Sequence, residues 1–201
     1  MTETTRRALL VGAATLAAAT VPGASLAQRM PSPDEVFNDP AAPVFGNSRG
    51  NVTLVEYFDY QCPYCKATHP DIVRLVEADG NVRHVLKDWP IFGPSSLYAS
   101  RLALAAGRNQ RTAVSALMAT EGRLSNAMID DAFAGAGLDP RGLFSEYERQ
   151  RRRIDGLLRR NSAQAEAFGF MGTPAYIAGT TLFAGVPDMG DVRAALEAAR
   201  G

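Results

Sequence analysis

The stretch Asn51-Val52-Thr53-Leu54-Val55-Glu56-Tyr57-Phe58-Asp59-Tyr60-Gln61-Cys62-Pro63-Tyr64-Cys65 decides the fold. Its first ten residues are β-branched and aromatic with apolar runs, as a buried strand requires. Pro63 then stands where the first turn of a helix begins, a position that does not need the N–H proline lacks. Ile72, Val73, Leu75 and Val76 give that helix an apolar face until Asp79-Gly80 stops it. Asn81 to Lys87 alternates like a second strand. Strand, helix, strand in that order predicts a parallel pair joined by a right-handed crossover.

Outward from this unit the chain divides into three parts. Residues 28–50 are rich in proline, asparagine and glycine and predict an extended lead-in with one short helix. The main domain spans 51–201, and within it residues about 94–168 read as helix throughout. Leu97, Arg101 and Leu104 open one helix, and Ala113 to Met118 gives a second. Ala127 to Phe133 is a third, Pro140 to Gln150 a fourth and Ile154 to Phe168 a fifth. Gly107, Gly122 and Gly135-Ala136-Gly137 mark the joints. Strand character returns at Ala175 to Ala178 and Thr181 to Ala184, with Gly179-Thr180 as the hairpin turn. Asp188 to Arg200 closes the chain as an amphipathic helix. The fold class is therefore α/β with an inserted all-helical subdomain, longer than any ordinary loop.

Hydrophobic residues make up 46% of the chain and charged residues 21%, an ordinary soluble composition. The 21 basic residues equal the 21 acidic ones, so no net charge draws the protein to nucleic acid or to an anionic membrane. The arginines at 149, 151, 152, 153, 159 and 160 therefore read as a solvated helix face. Residues 1–27 differ from the rest. Arg6 and Arg7 precede the apolar run Ala8 to Val21, and Ser25-Leu26-Ala27 has the small-x-small pattern of a cleavage site. Pro22 and Gly23 end the run short of the about 20 apolar residues of a membrane span. An export signal is expected, of general secretory or twin-arginine type, and with it an extracytoplasmic location such as the periplasm.

Only two cysteines occur, three positions apart. Outside the cytoplasm a disulfide scaffold would use several bridges, and one bridge closing so small a loop removes little chain entropy. Cys62 falls at a helix N-terminus, where free N–H groups and the helix dipole favour a thiolate. Such sites lower a thiol pKa from about 8.5 to between about 3.5 and 7. Cys62 is thus the expected nucleophile and Cys65, one turn inward, the resolving thiol. Structural zinc would need two further ligands, and the only histidines are His69 and His84. A purely structural bridge is the other alternative.

With these segments in hand, the chain resembles the DsbA family of extracytoplasmic thiol–disulfide oxidoreductases. The resemblance rests on residues 56–66 around Cys-Pro-Tyr-Cys, on 87–96 (Lys-Asp-Trp-Pro-Ile-Phe-Gly-Pro-Ser-Ser), on 167–175 with Gly172-Thr173-Pro174, and on the helical insertion. It implies a thioredoxin-like fold in which Thr173-Pro174 is a cis peptide facing the cysteines. Thr173 would then pair its backbone with an incoming peptide. Glu56, six residues before Cys62, would relay protons to Cys65, unless it is a strand-margin residue reaching solvent; Lys87 on the neighbouring strand would be its partner, or equally an exposed strand-end lysine. The family's best-known member has histidine where this chain has Tyr64, so Pro63 and Tyr64 are expected to set a milder oxidant. His69 would add some support for the thiolate, unless it is simply a helix-surface residue. Trp89 reads as core or groove wall.

The resemblance implies a dithiol oxidase acting on unfolded or partly folded exported proteins that carry cysteines. A membrane quinone-linked partner would reoxidise it. No metal or organic cofactor is expected, because the Cys62–Cys65 disulfide itself carries two electrons. The short lead-in favours a monomer. A disulfide isomerase or reductase on the same fold is the nearest rival, and Thr173 leans toward it. A non-enzymatic, chaperone-like module with a structural disulfide is a third reading.

Overall fold

Ser32 opens the first element of the computed structural model, which describes residues 29–200. The sequence-predicted export segment lies outside those residues. The Ser32 hydroxyl accepts from the N–H of Glu35 while the Glu35 carboxylate accepts from the N–H of Ser32, a reciprocal cap on the short helix α1 (Pro33–Phe37). The lead-in does more than extend. Val44–Gly46 forms strand β1 and pairs antiparallel with a later strand. Gly46 has φ +66, and a Cβ there would meet the Val82 carbonyl oxygen at 2.5 Å. The close strand approach therefore requires glycine.

Next come β2 (Val52–Phe58), α2 (Pro63–Asp79) and β3 (Val82–Asp88), with β2 and β3 parallel as expected. The insertion follows as α3 (Pro94–Ala105), a 3-10 turn, α4 (Gln110–Met118), α5 (Asn126–Gly135) and α6 (Pro140–Ala167). The predicted fourth and fifth helices are one helix of 28 residues. The arginines at 151–153 that lie between them are exposed, as a solvated helix face requires, and are good helix formers. Behind it a buried stripe continues unbroken through Tyr147, Ile154, Leu158, Asn161 and Ala165. β4 (Ala175–Ala178) and β5 (Thr181–Ala184) form the expected hairpin. Helix α7 (Met189–Ala198) closes the fold, with Asp188 as its N-cap.

The sheet order is β1-β3-β2-β4-β5, with β2 and β3 the only parallel neighbours in it. Alternation along the strands sends Val55, Tyr57, Val85 and Ile177 to one face, against Ile154, Leu157 and Leu158 of α6. Leu54, Val82 and Tyr176 face the other way, against Ile72 and Val76 of α2 and Val192 and Leu196 of α7. At the C-terminal ends of the parallel strands, Phe58, Leu86, Cys62 and Cys65 pack on Leu102, Leu117 and Phe133 of the insertion. The insertion thus completes the core around the cysteines. Among the described residues no helix is long and apolar enough to cross a membrane.

Candidate active site

β2 carries Glu56, Asp59 follows its last residue, and the strand-to-helix turn sets Cys62 as the N-cap of α2 with extended backbone (φ −70, ψ 118). The Cys62 sulfur accepts from the N–H of Cys65 at 3.4 Å, so it occupies the place a serine or aspartate cap would take. Both cysteines are free thiols. Thr173-Pro174 is a cis peptide, and the Cys62 thiol donates to the Thr173 carbonyl at 3.2 Å. The two segments, 111 residues apart, meet at the sulfur.

The sulfurs are unequal. A hydrogen bond from Cys65 is the largest influence on Cys62 and lowers its pKa to about 6; burial opposes it, and contacts with Thr173 and the Cys65 and Tyr64 amides add to it. Burial pushes the Cys65 thiol far up, and the hydrogen bond it gives to Cys62 pushes it further. At neutral pH this arrangement holds negative charge on the first sulfur and a proton on the second. Charge does not make the sulfur open, however. Only 1% of Cys62 is exposed, whereas Tyr64 is 65% and Met171 96% exposed. A thiolate has no proton to give the Thr173 carbonyl, so ionisation itself removes one of the contacts that cover the sulfur. Among the described residues the buried Thr173 hydroxyl has no hydrogen-bond partner.

Other anchors were not singled out in the sequence. Asp59 accepts from the N–H of Gln61 at 2.8 Å through one oxygen. Its other oxygen accepts from the N–H groups of Ile91 and Phe92 at 2.8 and 3.0 Å. The Gln61 amide donates to the Phe92 carbonyl and accepts from the N–H of Leu124, which ties the cysteine loop to the insertion. Lys66, one turn along α2 from Cys62, gives two 2.8 Å bonds to Thr120. Asp88 is buried and one of its oxygens lacks a partner among the described residues; burial pushes its carboxyl up to about 7.

Glu56 is fully buried, so the strand-margin alternative is overturned. The expected Lys87 partner is also corrected. Glu56 pairs in register with Leu86, and alternation turns Lys87 to the opposite face, where its ammonium donates to the Glu35 carbonyl at 3.4 Å. The partner of Glu56 is His84, whose Nε2 lies 2.7 Å from the carboxylate, and the Tyr176 hydroxyl donates to the other oxygen at 3.4 Å. The signal for His84 was present: it lies two residues from Leu86 and shares the face of Glu56. His69 is buried, not a surface residue, and its Nδ1 has no partner among the described residues. Burial lowers its pKa, and the charges it meets are those of Glu56 and His84. It therefore stands neutral near pH 7 and gives Cys62 no cationic support.

Against known proteins, residues 38–198 match the family model described as thioredoxin. The chain belongs to the thioredoxin family. Among solved relatives, a thioredoxin-like oxidoreductase from Silicibacter pomeroyi is 36% identical, with 85% of this chain and 98% of that one aligned at a TM-score of 0.81. The thiol–disulfide exchange protein α-DsbA2 from Wolbachia pipientis is 28% identical, covering 82% and 90% of the two chains at 0.76. A periplasmic thioredoxin-like protein from Salmonella enterica serovar Typhimurium is 29% identical, covering 83% and 94% at 0.70. The DsbA-like resemblance read from the four segments is borne out. Among curated proteins, 66 residues are 36% identical to Na(+)/H(+) antiporter NhaA 1 of Salinispora arenicola, and the match spans 10% of that protein. As a thioredoxin-family protein of DsbA-like type, the chain has its cysteine pair at the start of α2 and its cis proline against that pair.

Proposed function

We propose that this DsbA-like protein oxidises dithiols in exported proteins by exchange through Cys62 and Cys65. The observation that carries the proposal is the inequality of the two sulfurs, one lowered to about 6 and one pushed far up. A thiolate stabilised in the reduced state makes the disulfide easier to reduce, and so a better oxidant. In the reaction a substrate thiolate attacks the Cys62 sulfur of the Cys62–Cys65 bond. The new bond joins substrate to Cys62, and Cys65 leaves and takes a proton. A second substrate thiolate then attacks the substrate's own sulfur and expels Cys62 as a thiolate. Two electrons pass from substrate to the protein's cysteines, so the pair serves as its own cofactor.

Pro63 starts the helix that supplies the cap, and Tyr64 and Met171 stand exposed beside it for an unfolded chain to pack on. Once Cys62 is held in the disulfide it has no thiol hydrogen to give the Thr173 carbonyl, which leaves that backbone free for the incoming chain, and Pro174 keeps no N–H that would compete there. An extracytoplasmic location is supported by the basic and apolar segment at 1–27 and by the periplasmic relative. A quinone-linked membrane partner is the reoxidant this reading calls for.

Equilibration with glutathione buffers tests the direction. The expected potential is more oxidising than the about −270 mV of thioredoxin, and less so than the about −120 mV of DsbA, whose thiolate lies lower. A value at or below that of thioredoxin would make the protein a reductase.

A further inference from the structure

A buried carboxylate on the sheet face that packs on α2 solves only half of a proton problem, because the proton must also reach water. Glu56 is 0% exposed and has no route of its own. His84 is held 2.7 Å from it, and the imidazole, 2% exposed, lines a cavity of about 500 Å3 on the far side of the pair. That cavity runs beside α2 toward its C-terminal end, with Val76, Glu77 and Gly80 on one wall and Phe45 and Arg111 on others. It is thus remote from Cys62, which caps the opposite end of a helix of 17 residues. Tyr176 joins the two regions: its hydroxyl bonds Glu56, and it lies within the influence of both cysteine charges.

We propose that His84 is a positioning and proton-relay residue, through which the Glu56 carboxyl exchanges with solvent the proton that Cys65 gains or loses during disulfide exchange. This rests on the reading of Cys62 and Cys65 as the exchanging pair. In the oxidising direction Cys65 leaves as a thiolate and the Glu56–His84 pair supplies its proton. The imidazole then recovers one from water in the cavity. In the reverse direction the same proton leaves by the same path. Imidazole suits the task because it titrates near neutrality and its two nitrogens face different partners. The groups around the pair are Tyr176 from β4, His69 and Cys65 from α2, and Tyr60 after β2; Glu77 and Arg111 stand at the cavity. Of these only Glu77 and Arg111 line the solvent side.

The chain has two histidines, so 15N-histidine NMR reads His84 directly, with His69→Gln assigning the other ring. In the wild-type protein the His84 ring should titrate at a different midpoint when the cysteines are oxidised than when they are reduced by dithiothreitol. Identical titrations in the two states would overturn the proposal. His84→Gln keeps a partner for Glu56 but cannot titrate near neutrality. It should slow peptide oxidation on the order of tenfold at pH 7 and flatten the pH profile there, while the pH dependence of Cys62 alkylation stays as in wild type. A profile that superimposes on wild type would equally refute the relay. Failure of the exchange reading itself is separate, because it would appear as an unreactive Cys62 in the wild-type protein.

Discussion

Cys62→Ser is expected to lose disulfide exchange almost entirely, by on the order of 1,000-fold or more, because a hydroxyl cannot replace a thiolate in this chemistry. Cys65→Ser should behave in the opposite way. It leaves the Cys62 sulfur in place and removes the thiol that would expel a bound partner, so Cys62 attacking a disulfide-bonded peptide releases one peptide sulfur as a thiolate and accumulates a mixed disulfide with the other, which mass spectrometry detects. The pair Cys65→Ser and Cys65→Ala separates charge from connectivity. The hydrogen bond from Cys65 is the largest influence lowering Cys62. Serine can still donate it and alanine cannot, so only alanine should return Cys62 toward the ordinary thiol range. Equal pKa values in the two variants would contradict the hydrogen-bond account, and full activity in Cys62→Ser would remove the nucleophile.

The second large effect is on stability. Cys62 has its pKa lowered to about 6 in the fold, against about 8.5 for a free thiol. A lowered acid contributes stability that is complete above the unfolded value and is lost as pH falls through the folded one. The reduced protein should therefore gain almost nothing from this source at pH 5 and about 1.4 kcal/mol at pH 7. The oxidised protein has no thiol and lacks the gain. Asp88 shifts the other way: its carboxyl is pushed up to about 7, so its contribution fades as pH rises through that value. It does so in both redox states and cancels in the difference. The melting temperature of the reduced minus the oxidised form should rise by roughly 3–6 °C between pH 5 and pH 7. A difference that stays flat across that window would mean the Cys62 thiol is not lowered.

Much of the architecture was legible where one local rule decided it. β2, the cysteine at the head of α2, the β4–β5 hairpin and α7 each carry a period, a cap or a turn that points one way. β1 was missed because three residues between Pro43 and Asn47 hold no period to read. Only pairing with β3 makes them a strand. α6 was divided because a run of arginines hides the apolar stripe behind it. The site divides in the same way. Cys62, Cys65 and Pro63 follow from helix-terminus chemistry, whereas the partner of Glu56 depends on sheet register. One residue of register separates Leu86 from Lys87, and it turns the lysine to the face opposite Glu56. That Thr173-Pro174 faces the cysteines was legible only through the family resemblance, and no local rule shows the bond from Cys62 to the Thr173 carbonyl, because Thr173 arrives from the other end of the chain.

The most direct test follows the rate of Cys62 alkylation by iodoacetamide from pH 4 to pH 10 in the reduced wild-type protein, with Cys62→Ser as the blank. An inflection near pH 6, with reaction still rapid at pH 7, is the result this structure requires. An inflection near that of a free thiol, or no reaction until the protein unfolds, would show that the first cysteine does not carry the charge on which the proposed exchange depends.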